Sequence, residues 1–173
     1  MSQPLLSGPG GPVGEGNGES RRYPTRPVVG VAAVVLTADR RVVLVRRGHS
    51  PLSGRWSLPG GMLELGETLR GGVRREVREE TGLEVAVGPL IDAVDHIETA
   101  ADGRVAYHFA LIDYLCRITG GTLGADTDAS EVALVEMPAL PSYGVADRTR
   151  RVIERGFVMA SAGVDLLQDE GSP

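Results

Sequence analysis

The chain of 173 residues contains no lysine, so all 18 of its basic residues are arginine. This absence excludes mechanisms that need a lysine, such as Schiff-base chemistry, pyridoxal-phosphate attachment and the phosphate-binding lysine of a P-loop. A phosphate-handling site in this chain would therefore have to use arginine, backbone amides or a metal ion.

Cysteine and long apolar runs are also scarce. Cys116 is the only cysteine, so no disulfide can form within the chain, and we expect a reducing, cytoplasmic location. Its apolar neighbours predict a small buried side chain rather than a nucleophile. The apolar runs are too short to span a bilayer and the N-terminus does not resemble a signal peptide, so we expect no membrane partner.

Positive charge is in deficit, with 18 basic against 23 acidic residues and a net charge of -5. A general nucleic-acid binder usually shows a basic stripe, so we expect no nucleic-acid partner. The hydrophobic share of 42% is typical of a globular chain, and the length predicts one domain with a sizeable core.

The composition changes along the chain. Residues 1–27 are rich in glycine and proline and show no hydrophobic period, which predicts a flexible leader. A single domain is expected over residues 28–163, followed by a C-terminal tail over residues 164–173.

Within the domain, the hydrophobic patterns predict an α/β sandwich. Strands are predicted at residues 28–36, 42–45, 83–97, 105–118 and 131–137, the third of them as one or two strands around Gly88-Pro89. Helices are predicted at residues 68–81, with Thr68 as N-cap and Gly82 at the C-terminus, and at residues 145–159. Pro59-Gly60-Gly61 predicts a turn.

The first predicted helix carries an unusual cluster of acids. Glu76, Glu79 and Glu80 share one helical face near its C-terminus, where they repel one another and the helix dipole disfavours them. A bound divalent cation would reverse these effects, and an all-oxygen ligand set favours Mg²⁺ first and Mn²⁺ second. The alternative is a solvated acidic face with an ordinary Arg75–Glu79 pair.

The loop before the helix favours a cation site over a solvated acidic face, because its glycines permit close backbone approach and Glu67 adds a fourth carboxylate. From Gly61 to Leu83 the chain reads Gly-x5-Glu-x7-Arg-Glu-Val-x-Glu-Glu-x-Gly-Leu. This segment resembles the Nudix box, the signature of the Nudix hydrolases, at every defining position. The resemblance implies a Nudix-type α/β/α sandwich with a mixed sheet, and metal-assisted hydrolysis of a nucleoside diphosphate linked to another group.

Roles for individual residues follow from the same resemblance. It implies that the metal is held by Glu76, Glu79 and Glu80, and that Arg75 orients the glutamates through salt bridges. Glu67 is implied as a support, a further ligand or a participant in water activation. The general base is left open among the box glutamates and two acids of a later loop, Asp128 and Glu131, which could also be solvated turn residues.

The substrate is less sharply indicated. Residues 108–114, the loop containing Asp128 and the sequence Tyr143-Gly144-Val145 resemble the ADP-ribose pyrophosphatase-like branch, which implies ADP-ribose or a related nucleotide sugar or dinucleotide. This resemblance also allows for a homodimer. The alternatives are a nucleoside triphosphate pyrophosphohydrolase and a catalytically silent ligand sensor. Nudix hydrolases that act on oxidised guanine nucleotides can use an asparagine to read the base. Asn17, in the predicted leader, is the only asparagine of this chain, which disfavours an oxidised guanine triphosphate as substrate.

Five residues are predicted to contact the nucleotide substrate. Arg46, Arg47 and Arg55 could bind phosphate as bidentate forks, and the alternative for two of the three is a surface or sheet-edge charge. Gly61 would let the substrate approach the backbone, and Asp128 would reach it from the later loop. Trp56 could stack on a nucleotide base, but we expect its side chain to pack in the hydrophobic core instead.

Overall fold

The computed structural model describes residues 22–47, 54–124 and 129–163. The predicted leader up to residue 21 and the predicted tail from residue 164 lie outside these ranges. Within them the chain forms seven strands, two α-helices and one 3-10 helix. The strands are β1 (Val28–Leu36), β2 (Arg41–Arg47), β3 (Trp56–Ser57), β4 (Gly60–Met62), β5 (Leu83–Thr99), β6 (Val105–Gly121) and β7 (Ala129–Glu136); the helices are α1 (Leu69–Thr81) and α2 (Asp147–Ser161), with the 3-10 helix at Met137–Tyr143.

The strands form one mixed sheet with β1 at its centre. β1 runs parallel to β6 and antiparallel to β2 and β4, while β5 pairs with β6, and β3 and β7 pair with β2. One hydrophobic cluster lies between the sheet and α1, and a second lies between the sheet and α2. This arrangement confirms the expected α/β/α sandwich.

The apolar sequence of β1 reflects its coverage on both faces. Side chains alternate along a strand, so Val31, Ala33 and Val35 join the cluster on the α1 side. Ala32, Val34 and Leu36 belong to the cluster on the α2 side. A strand covered on both faces needs apolar residues at every position.

Helix α1 begins and ends where the sequence predicts. The Thr68 side chain accepts a hydrogen bond from the Gly71 amide at 3.0 Å, and Gly82 ends the helix in the left-handed region with φ 69°. Val73 and Val77 are fully buried against the sheet. Gly72 is explained by close packing, because a Cβ there would lie 3.0 Å from a methyl group of Leu63.

Two details differ from the sequence prediction. Pro59-Gly60-Gly61 is not a simple turn, because residues 60–62 pair with β1 as strand β4. Gly60 has φ 155°, and a Cβ on it would lie 2.3 Å from the Val31 carbonyl oxygen, so only glycine permits this approach. The segment around Gly88-Pro89 does not divide β5, since the irregularity is absorbed as a bulge opposite β6.

Two further features bear on earlier expectations. Cys116 is buried in the α1-side cluster, and burial raises the pKa of its thiol to about 12, which confirms its packing role. No helix within the described ranges is long and apolar enough to cross a membrane.

Helix α2 is anchored to the sheet by ion pairs as well as by its apolar face. Arg148 donates to the carboxylate of Asp113 on β6, whose side chain is 2% exposed. Arg155 contacts Asp92 on β5 at 2.9 Å. Burial raises the pKa of Asp113, and the charge of Arg148 opposes that rise. The ion pair therefore offsets the desolvation of a buried carboxylate.

Replacing Asp113 tests this anchor. Because Asp113→Ala leaves the partly buried Arg148 without its counter-charge, we expect the free energy of unfolding to fall by about 3 kcal/mol. Urea denaturation followed by circular dichroism measures the change. The control is Asp102→Ala, which breaks an exposed pair with Arg104 and is expected to cost at most about 0.5 kcal/mol. Equal losses in the two variants would contradict the anchoring role.

Candidate active site

Arg75 is the centre of a carboxylate cluster on α1. It binds both oxygens of Glu67, each at 2.9 Å, in a bidentate contact. It also donates to Glu76 Oε1 at 2.8 Å and to Glu79 Oε2 at 3.1 Å. A further bond of 3.0 Å to the Met62 carbonyl oxygen ties the cluster to β4. One guanidinium group therefore contacts three carboxylates, of which Glu76 and Glu79 are among the glutamates that the resemblance assigned to it, whereas Glu80 is not.

The acids of this cluster differ in electrostatic character. Hydrogen bonds from Arg75 hold the pKa of Glu67 below its usual range. Burial raises the pKa of Glu76. The hydrogen bond and the charge of Arg75 oppose this rise, and the nearby charge of Glu79 adds to it. The bonds to Glu67 and Glu76 in turn raise the pKa of Arg75, so its charge is permanent. Burial thus favours the protonated form of Glu76, whereas Arg75 favours the charged form of Glu67.

Gly61 allows Glu76 to lie directly against the β4 backbone. A Cβ on Gly61 would lie 2.3 Å from Glu76 Oε1 and 2.6 Å from Oε2. Any side chain at this position would displace the carboxylate. The function of Gly61 in the structure is therefore to make room for a glutamate oxygen.

Glu80 lies apart from the Arg75 cluster. Its side chain is 2% exposed, whereas that of Glu79 is 44% exposed. Glu80 Oε2 accepts from the Gly60 amide at 2.8 Å, and Oε1 accepts from Arg47 at 3.1 Å. Arg47 also donates to the Gly60 carbonyl oxygen at 2.6 Å. A second arginine thus links Glu80 to the β4 backbone.

The chemistry of these donors fits a hard divalent cation. Guanidinium groups contact oxygens of four glutamates and the carbonyl oxygens of Met62 and Gly60. These oxygens therefore surround positions where a positive charge is favourable. Ion pairs join two of these guanidinium groups, those of Arg75 and Arg47, to the four carboxylates. No group of three or more acidic, histidine or cysteine side chains is already gathered as a metal cage within the described ranges. Binding a cation would therefore require at least one of these side chains to move.

Of the residues predicted to contact substrate, Arg47 and Gly61 lie at the carboxylate site, whereas Arg46 does not. Arg46 donates to the Gly54 carbonyl oxygen at 3.0 Å and lies 3.4 Å from Glu131, on the α2 side of the sheet. Arg55 is exposed at the loop before β3. Asp128 lies outside the described residues, and its predicted role stays a prediction.

The structural role of Arg47 was missed by sequence reasoning, which grouped it with Arg46. Strand alternation contains the missing signal, because neighbouring residues of β2 point to opposite faces. Val43 packs on the α1 side and Leu44 on the α2 side. The same alternation directs Arg47 toward α1 and Arg46 away from it.

Two aromatic residues of the sequence analysis lie on the α2 side. The Trp56 ring packs edge to face on Tyr143 with ring centroids 5.1 Å apart. Both rings border the α2-side hydrophobic cluster. This packing supports the interpretation of Trp56 as core filler.

Comparisons with known proteins agree with this geometry. An ADP-ribose pyrophosphatase of Methanocaldococcus jannaschii is 33% identical over 115 residues, covering 66% of this chain and 65% of that protein. A MutT-like protein of Streptomyces ambofaciens is 38% identical over 105 residues, covering 61% of each. The chain thus spans less than two thirds of the length of these relatives.

A solved structure and a family model extend the comparison to the fold. The crystal structure of a MutT Nudix hydrolase from Burkholderia pseudomallei has a TM-score of 0.63 and 28% identity, covering 75% of this chain and 98% of that one. The model of the NUDIX domain matches residues 26–155. With its box residues gathered around Arg75 and its sandwich fold, this chain belongs to the Nudix family.

Proposed function

We propose that this chain is a pyrophosphohydrolase that depends on a divalent cation and cleaves a nucleoside diphosphate linked to another group. The observation that carries the proposal is the set of four glutamates held by Arg75 and Arg47 against the β4 backbone. Their oxygens suit Mg²⁺, with Mn²⁺ as a substitute. The cation would be held by Glu76, Glu79 and Glu80.

The protein supplies a prearranged set of charges for this reaction. A bound Mg²⁺ would neutralise charge on the phosphoryl oxygens and make water more acidic. Arg75 holds Glu67, Glu76 and Glu79 in fixed directions before a substrate arrives, so little reorganisation is needed during the reaction. The four carboxylates alone would repel a pyrophosphate, which explains why the activity should require the cation.

The proposed general base is a box glutamate or an acid of the later loop, as the resemblance to the Nudix hydrolases implies. In the proposed reaction, water attacks phosphorus, its proton passes to a carboxylate, and the phosphoanhydride bond breaks. Glu131 is paired with Arg46 on the other side of the sheet, which disfavours it in this conformation. Asp128 remains a candidate.

ADP-ribose, or a related nucleotide sugar or dinucleotide, is the proposed substrate. Support comes from the resemblance of residues 108–114 to the ADP-ribose pyrophosphatase-like branch and from the name of the relative that is 33% identical. Nucleoside triphosphates are the competing class.

Glu79→Gln tests the metal site with little disturbance of the fold. Because Glu79 is half-exposed and bonded only at the rim of the cluster, we expect its loss to change the free energy of unfolding by less than about 1 kcal/mol. Turnover with Mg²⁺ should fall by roughly a hundredfold or more, because a charge that acts on the reacting phosphate is removed.

The matched control for that variant is Glu154→Gln on α2. Glu154 forms the same kind of i, i+4 pair with Arg150, with a similarly exposed side chain. We expect it to retain full turnover. Full activity in Glu79→Gln would show that Glu79 does not serve the reaction.

Identifying the products of hydrolysis tests the substrate class. The purified chain is incubated with ADP-ribose, nucleotide sugars, dinucleoside polyphosphates and nucleoside triphosphates, each with Mg²⁺ or Mn²⁺. We expect AMP and ribose phosphate from ADP-ribose. Pyrophosphate release from triphosphates alone would reassign the substrate, and hydrolysis of none of these compounds would favour a ligand sensor.

A further inference from the structure

Arg47 makes an arrangement of hydrogen bonds that differs from an ordinary salt bridge. Its guanidinium group donates to Glu80 Oε1 at 3.1 Å and to the Gly60 carbonyl oxygen at 2.6 Å. The Gly60 amide donates to the other Glu80 oxygen at 2.8 Å. The three groups therefore form a closed ring in which a single cation bridges a carboxylate and a backbone carbonyl.

The position of this ring links it to the proposed metal site. Gly60 precedes Gly61, against which the Glu76 carboxylate lies. Glu80 comes directly after Glu79 on the last turn of α1. The two oxygens that Arg47 bridges are hard donors of the kind that Mg²⁺ and Mn²⁺ select. Arg47 engages both of these oxygens.

We propose that Arg47 is an internal stand-in for the divalent cation, which holds Glu80 and Gly60 in place in the metal-free protein and must withdraw when the cation binds. The inference rests on the proposed function, because it assumes that Glu80 serves the metal. Arg47 is then a positioning residue that stabilises the metal-free protein and weakens metal binding. Its remaining bond, from Nε to the Ser57 hydroxyl at 3.2 Å, and its 30% exposure leave the guanidinium group a route toward solvent.

The stand-in role differs from that of Arg75. Arg75 donates to both carboxylate oxygens of Glu67, but to only one oxygen of Glu76 and one of Glu79. Its contacts therefore need not be given up when a cation arrives. At Glu80, by contrast, Arg47 and the Gly60 amide engage both oxygens.

The test compares Mn²⁺ affinity and thermal stability in Arg47→Met, Arg47→Lys and the parent chain. Mn²⁺ binding is measured by electron paramagnetic resonance of the free ion, without substrate. Without metal, we expect the melting temperature of Arg47→Met to fall by about 5 °C, because Glu80 and Gly60 lose their donor. Its Mn²⁺ affinity should nevertheless rise by roughly tenfold, since the hydrogen bond from Arg47 to Glu80 no longer has to be broken.

Two variants separate this effect from simple charge removal. Arg47→Lys keeps the charge but loses the planar fork, so its Mn²⁺ affinity should fall between those of the parent and Arg47→Met. If Arg47→Met does not fold, Arg47→Lys carries the comparison. Arg46→Met removes one positive charge from the preceding residue, whose side chain faces Glu131. This variant should change Mn²⁺ affinity by less than about twofold.

The outcomes distinguish this inference from the proposed function. Unchanged or weaker Mn²⁺ binding in Arg47→Met, with normal binding in the parent chain, would overturn the stand-in role alone. An equal gain in Arg46→Met would also overturn it, because the effect would then come from charge alone. Absence of Mn²⁺ binding in every protein would overturn both proposals. Tighter binding in Arg47→Met without hydrolysis of any nucleotide would support the stand-in and contradict the enzymatic proposal.

Discussion

The arrangement of this molecule depends on four carboxylates, one in the loop before α1 and three on α1, that are held by two arginines. Arg75 binds Glu67, Glu76 and Glu79, while Arg47 binds Glu80. Glu76 and Glu80 lie against the backbone of β4. Such a concentration of carboxylates is unfavourable by itself and becomes favourable with a bound cation. In a chain without lysine, arginine forks, backbone amides and a metal ion are the available means of handling phosphate.

The fold supplies the close approach that this site requires. β4 can lie against β1 because Gly60 has no side chain to meet the Val31 carbonyl oxygen. Gly61 then leaves space for the Glu76 carboxylate, and Gly72 lets α1 pack tightly beneath it. α1 is fixed by its Thr68 cap and by its buried valines, so the glutamates project from a rigid element. Rigidity of this kind reduces the reorganisation that a reaction would otherwise need.

Much of this arrangement follows from the sequence, because its signals are local. The cap at Thr68, the end at Gly82 and the spacing of the glutamates each depend on neighbours within a few residues. The role of Arg47 could not be predicted in the same way, since its partners lie 13 and 33 positions away. The strand at residues 60–62 was missed for a related reason: glycine and proline favour turns locally, and only the pairing with β1 makes them a strand. Long-range pairing also produced the Asp113–Arg148 contact, which no local pattern indicates.

The most direct test of the account is the position of a bound ion. Crystals of the chain grown with Mn²⁺ would be measured at a wavelength where manganese scatters anomalously. We expect an anomalous peak between the Glu76, Glu79 and Glu80 carboxylates, next to Gly60. We also expect the Arg47 guanidinium group to have moved away from Glu80. A peak elsewhere, or an unchanged Arg47–Glu80 contact with no ion at α1 under conditions that support hydrolysis, would contradict the account.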